Sequence, residues 1–237
     1  MAVDILYVSF NRLEYTRETF SALLEHTDWD EVAGLFVADD RSTDGTAAYL
    51  ADAIADVPDR VVVHMNSGKF HGPVAAMNWY LDHASPGVEM FAKVDNDMVV
   101  CPGWLSELLR VMHLYPGLDI LGMEPFVGDP TMPPLAHRTY TEAPHIGGKG
   151  LIRHRAFSQC RPVANGYHGF TQWQEKHEHI SKGWITPDLP VFGLDQVRDA
   201  DGPWAALARG YAEKGWQRLW PVYAGDEHYT WWLEGRR

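Results

Sequence analysis

The chain has 237 residues, 46% of them hydrophobic, and a formal net charge of −12. That length suits one large domain or two small ones with a sizeable core, and the acidic balance speaks against general nucleic-acid binding, because a field of that sign repels polyanions. No run of about 18 apolar residues suggests a membrane-spanning helix, and two cysteines, Cys101 and Cys160, make no disulfide framework, so a cytoplasmic location is expected.

The opening residues, MAVDILYVSFNR, lack the basic and apolar regions of a signal peptide and read as a first strand over 4–10. A helix follows over 15–27, with Phe20, Leu23 and Leu24 at helical spacing. VAGLFVADD (32–40) is a second strand that ends in carboxylates. Residues 42–57 begin with Ser/Thr/Asp capping chemistry and continue as a helix, in which Asp44 is read chiefly as a cap. RVVVHM (60–65) is a third strand, and 72–84 a third helix with Pro73 in its first turn. MFAKVD (90–95) is a fourth strand and 102–115 a fourth helix.

Strands that alternate with helices predict a parallel α/β sheet, whose ligands bind beyond the carboxyl ends of the strands. Asn11, Asp39, Asp40, Asp95 and Asp97 fall at those ends. Residues 122–150 are rich in Pro and Gly and read as irregular structure. LIRHRAF is one strand or a sheet edge; its Arg153 and Arg155 read as a solvated edge, or as contacts for a diphosphate or an anionic acceptor. Residues 202–215 read as a helix with a Gly stop, and the aromatic tail as a last strand and closing segment. The division expected is a nucleotide-binding half, 1–115, and an acceptor-binding half, 116–237, within one domain.

Asp95-Asn96-Asp97 carries the chemistry. Residues i and i+2 of a strand share a side, so both carboxylates are expected to converge past a strand end. Two carboxylates at one point repel unless a cation sits between them. Mg²⁺ or Mn²⁺ suits such oxygen donors, and takes its remaining ligands from water and substrate phosphates. The plain alternative is a solvated acidic turn.

Four pieces occur in order: YVSFNR (7–12), LFVADDRSTDGT (35–46), NSGKFHGPVAAMN (66–78) and KVDNDMVVCPGWL (93–105). Together they resemble the GT-A glycosyltransferases, especially the family-two type, in which the matching pieces look like TYNR, VDDGSTDGT, NxGxxxARN and DxDxxxxPGWL. The resemblance implies a nucleoside-diphosphate sugar donor, with UDP-sugar favoured, and transfer to an acceptor hydroxyl. It places the divalent metal on Asp97 and Asp95, and Ser9 and Arg12 beside the base and diphosphate. Asp39 or Asp40 would accept from the uracil or ribose, and Lys69 and Asn78 would line the nucleotide pocket. The family's arginine before Asn78 is Met77 here, and Lys69 is either its replacement or a solvated loop lysine. The resemblance also puts Gly147 and Gly148 close to the sugar.

An inverting enzyme needs a base for the acceptor proton. The family's GED matches FGLD, which makes Asp195 the first candidate, with Asp199 and Asp201 as alternatives; Asp201 serves equally as a helix cap. The missing Glu leaves a retaining enzyme open. The resemblance implies His228 as a third metal ligand or a diphosphate contact, against a packed or exposed histidine, and His177-Glu178-His179 has metal spacing but no third ligand nearby. One or two of Trp173, Trp184, Trp204 and Trp216 are candidates to stack on sugar faces. A nucleotidyltransferase is a rival reading, disfavoured because SFNRLEY has no glycine for a triphosphate loop. A non-catalytic sugar-nucleotide-binding module is another. The acceptor is open among sugars, lipid-linked glycans, natural products, protein side chains and modified nucleobases.

Overall fold

A computed structural model describes residues 2–68, 70–100, 102–123, 139–163, 169–186 and 191–194. β1 (Val3–Ser9) is buried at every position. So continuous an apolar strand belongs in the middle of a sheet covered on both faces. β2 (Val32–Asp39) lies parallel on one side of it and β4 (Met90–Asp95) parallel on the other. β3 (Val62–Asn66) extends the sheet beyond β2. The chain therefore reverses its direction of travel across the sheet at β1, the topological switch point where α/β sheets open a crevice for ligands.

Alternation along the strands sends side chains to two cores. Ile5, Tyr7, Leu35, Val37, Ala92 and Val94 share one cluster with α1 (Leu13–His26), α2 (Thr46–Ala53) and α4 (Trp104–Leu114). Leu6, Val8, Phe36, Ala38 and Phe91 face the other way, onto α3 (Pro73–His83) and α5 (Gly169–Lys176). The four expected strands and four expected helices of residues 1–115 all form, with ends within a few residues of expectation. No helix among the described residues is long and apolar enough to cross a membrane.

The second half holds more order than its composition suggests. β5 (Met98–Val100) follows Asp97 and pairs with β10 (Val191–Gly193) as a separate two-stranded sheet. β6 (Ile120–Gly122), β7 (Thr139–Glu142), β8 (Gly150–Arg153) and β9 (Lys182–Thr186) complete an eight-stranded mixed sheet in the order β3-β2-β1-β4-β8-β6-β9-β7. β8 lies between β4 and β6, so LIRHRAF begins as an interior strand and not as the expected solvated edge. Arg153 donates to the carbonyls of Leu118 and Met112, and Arg155 to Asp119 and the Pro116 carbonyl. Arg153 pairs in register with Met90, at the end of β4 opposite Asp95.

The β8–β6 contact is unusually close at Gly150. Its φ is +143°, and a Cβ there would lie 2.1 Å from the Leu121 carbonyl oxygen. Gly150→Ala is therefore expected to destabilise the fold by about 3 kcal/mol, as backbone strain of this kind does. A melting curve checks it; an unchanged midpoint would show that β6 and β8 can separate freely.

Candidate functional site

The carboxyl ends of β1, β2 and β4 lie side by side, with Ser9 in register with Asp39 and Val8 with Asp95. The loops that leave β1, β2 and the neighbouring β3 hold Asn11 (φ 51°), Arg12 (φ 64°), Arg41 (φ 58°) and His71 (φ 59°), the non-glycine residues with left-handed backbone among those described. Such conformations cost free energy and gather at functional sites when the surroundings enforce them.

Here the enforcement is visible. The Asn11 N–H donates to Ser42 Oγ at 2.6 Å, Thr43 N–H donates to Asn11 Oδ1 at 2.9 Å, and Asn96 Nδ2 donates to the Asn11 carbonyl at 2.8 Å. Asn96 also donates to Thr16 Oγ1 at 3.0 Å, which ties the turn after β4 to α1.

Asp39 is buried, and accepts from Ser9 Oγ at 2.9 Å and from the Ser42 N–H at 2.9 Å. Asp40 accepts from the N–H groups of Phe70 at 3.0 Å, His71 at 3.2 Å and Gly72 at 2.8 Å, and so anchors the entry to α3. Ser9, Asp39 and Asp40 thus shape the loops from within. Asn78 donates to the Pro162 carbonyl at 2.9 Å, and its own amide oxygen is buried with no hydrogen-bond partner among the described residues. Phe10, 59% exposed, stands beside Asn11 as an uncovered ring that the sequence pattern did not single out.

Asp95 is the last residue of β4, and Asn96 and Asp97 turn into β5. The same-side rule for strands therefore applies to Lys93 and Asp95, and the Lys93 ammonium is ion-paired with Asp95. Lys93 is 1% exposed and passes beneath the glycine loop, where a Cβ on Gly148 would lie 3.5 Å from its Nζ. Asp97 Oδ1 lies 2.8 Å from Lys149 Nζ, and Asp97 Oδ2 lies 3.9 Å from the Arg12 guanidinium. Burial alone would raise the Asp97 carboxyl; the Lys149 ammonium, then Arg12 and Lys93, outweigh it and hold the carboxyl below its ordinary value.

The structure thus brings together Asn11, Arg12, Asp95, Asp97 and Gly148 from the sequence reading, and adds Lys93 and Lys149. A lysine inside the apolar run MFAKVD was the one available signal for Lys93; Lys149 had none beyond its place after two glycines. Lys69, Asp195, Asp199, Asp201, Trp204, Trp216 and His228 lie outside the described residues. Leu194, the residue before Asp195, donates its N–H to the Asp97 carbonyl at 2.7 Å.

Trp173 stacks with Phe157 and Phe170 in the core, and Trp184 packs over Gly122. His177 contacts Cys160 and the Trp173 carbonyl, and no group of three metal-ligating side chains occurs among the described residues. A pocket of about 620 Å³ lined by Glu142, Gln174, Glu175, Glu178, His179 and Lys182 contains none of the strand-end aspartates.

This sheet order, with its carboxylates and cations at the switch point, defines the GT-A type of nucleotide-diphospho-sugar transferase fold. The glycosyl transferase family 2 pattern matches residues 4–172, and the chain belongs to that family. Among solved structures, TarS 1-349 of S. aureus superposes with a TM-score of 0.59 at 14% identity, covering 82% of this chain and 61% of that one. The same protein in complex with UDP-GlcNAc gives 0.57 at 16% identity, over 80% and 57%. The mannosyltransferase PcManGT from Pyrobaculum calidifontis, in complex with GDP-Man and Mn²⁺, gives 0.56 at 15%, over 78% and 54%. At these identities the likeness is one of fold, and the present chain spans less than two thirds of each of these structures. Comparison with curated protein sequences gives no match.

Asp44 ties two helix starts together, accepting from the Leu13 N–H at 2.8 Å and the Thr46 N–H at 3.1 Å. Burial alone would raise its carboxyl; hydrogen bonds from Thr46 and Leu13 outweigh that and hold it below the ordinary 3.8. Asp44→Ala should cost about 1 kcal/mol, as the loss of a capping side chain does. A folded-state value below the unfolded one means that this stability is present above 3.8 and lost as pH falls through the lower value. The melting-temperature gap between wild type and variant should therefore close in strong acid; a constant gap would contradict the capping role.

Proposed function

We propose that this chain transfers a sugar from a nucleoside-diphosphate sugar, with a UDP-sugar favoured, to an acceptor hydroxyl with inversion at the anomeric carbon. The observation that carries the reading is the convergence of Asp95, Asp97, Arg12, Lys93 and Lys149 at the carboxyl ends of β1 and β4. That is a place built for the charge of a diphosphate. The nucleotides in the structural neighbours, UDP-GlcNAc and GDP-Man, are of the same class.

The donor set suits a hard divalent cation: Asp95 and Asp97 offer carboxylate oxygens, and Asp97 is held ionised. Asp95 and Asp97 would hold Mn²⁺ or Mg²⁺, with His228 the third ligand that the family resemblance suggests. Such an ion, when bound, neutralises charge that develops on the departing diphosphate.

The protein's own groups supply the rest. Arg12, Lys93 and Lys149 add positive charge in a largely dry site, where preorganised charge counts for most. Phe10 offers its exposed ring for stacking on the base. Asn11 and Arg12, locked in left-handed backbone, give the loop a shape that does not have to form on binding. Asp195 takes the proton of the acceptor hydroxyl as its oxygen attacks the anomeric carbon and the nucleoside diphosphate departs. The bond from Leu194 to Asp97 supports that role, since adjacent Cα atoms are about 3.8 Å apart.

Isothermal titration of UDP and GDP, with and without Mn²⁺, tests the donor site. Metal-dependent binding should weaken at least about tenfold in Asp97→Asn, a loss of about 1.4 kcal/mol. Failure of both nucleotides to bind under any metal would overturn the reading. Asp195→Asn should leave UDP affinity unchanged and lower kcat by about 10²- to 10⁴-fold, the range for a lost general base. Unaltered turnover would remove Asp195 from the chemistry and leave Asp199 or Asp201 to be tested in the same way.

A further inference from the structure

The strand-end aspartates are already partnered. Three cations, Arg12, Lys93 and Lys149, surround two carboxylates, Asp95 and Asp97. Among the described residues this cluster carries one net positive charge, an unwelcoming field for a free divalent cation and a welcoming one for a diphosphate. Lys149 holds Asp97 Oδ1, an oxygen that an incoming cation would need.

Both lysines are buried, Lys93 at 1% and Lys149 at 9% exposure, and they differ in where their backbones sit. Lys93 rises from the centre of the sheet, 1% exposed, between β1 and β8. Lys149 sits on the loop between Gly148 and Gly150, its carbonyl accepting from the Met123 N–H at 3.2 Å. Its backbone is anchored, while its ammonium ends a flexible four-carbon stem that can re-aim without moving the chain. An unpartnered Asp97 in so buried a position would be costly, so some cation must accompany it at every stage.

We propose that Lys149 is an internal counter-ion of the donor site, which holds Asp97 while the site is empty and passes to the donor's diphosphate when a divalent cation takes Asp97. The proposal rests on the donor-site reading above and deepens it. Metal and nucleotide then bind together: the nucleotide draws Lys149 away from the carboxylate, and the vacated oxygen becomes available. Lys93 stays with Asp95 throughout.

The test measures Mn²⁺ binding by electron paramagnetic resonance without nucleotide, on wild type, Lys149→Met and Lys149→Arg, and UDP binding at saturating Mn²⁺ on all three. Lys149→Met should bind Mn²⁺ alone at least about tenfold more tightly than wild type, because its competitor is gone, and bind UDP about tenfold more weakly. Lys149→Arg should follow wild type in both. Opposite movements of the two affinities cannot come from a general loss of structure. Lys149→Gln serves as the neutral variant if Lys149→Met does not fold, as judged by circular dichroism. Adding Asp97→Asn to the neutral variant should abolish the gain in Mn²⁺ affinity, which locates the ion. Unchanged or weakened Mn²⁺ binding overturns the counter-ion role, and unchanged UDP affinity overturns the transfer to the diphosphate. Failure of the donor-site reading would show separately, as wild type binding no nucleoside diphosphate while the Mn²⁺ comparison still reads.

Discussion

The ion pair between Asp97 and Lys149 joins two parts of the chain that the pairing of β4 with β8 brings side by side. One is the turn that follows β4; the other is the glycine loop that opens β8. A charged carboxylate with little water around it demands a partner, and that demand sets where residues 147–150 must run. Gly150 then answers it: the loop approaches β6 so closely that only a glycine fits, and Lys149 is delivered at the height of Asp97. The neighbouring pair of Lys93 and Asp95 repeats the logic within one strand. Charge across the sheet thus holds the site, above a floor of buried Val94, Met98 and Ile146.

Around that centre the loops are rigid by construction. Asn11 and Arg12 adopt a backbone that most residues avoid, and Asn11 is fixed by donating to Ser42 and accepting from Thr43 and Asn96, which lie on two different loops. Asp39 and Asp40 face inward and spend their oxygens on Ser9, Ser42 and the 70–72 backbone. An acidic pair at a strand end looks like ligand chemistry in the sequence. Here the pair also braces the loops that carry Phe10, Arg12 and the 70–72 backbone.

The first half of the fold was legible because its strands are long, apolar and β-branched, and its helices carry periodic apolar faces. ILG (120–122) is too short to show a period, and KGWIT (182–186) mixes Lys and Gly into a strand, so β6 and β9 were invisible to pattern and form because neighbours on both sides complete their hydrogen bonds. Arg153 and Arg155 suggested a wet edge, yet their guanidinium groups close off the carbonyls at the far end of α4 and the loop after it. The aspartates of the site stood out as a motif, whereas the lysines that neutralise them did not. Lys93 needed the strand register to reveal its partner, and Lys149 needed a tertiary contact that no local spacing encodes.

The hydrogen bond from Leu194 to the Asp97 carbonyl, and the three rungs of β10 on β5 beneath it, pin a distant piece of chain to the donor motif by backbone alone. Backbone pinning is indifferent to side-chain identity. A side chain along either strand can therefore change without loosening the pin, provided that those rungs re-form. Leu194 then returns to the same address beside Asp97 each time, whichever side chains the two strands carry.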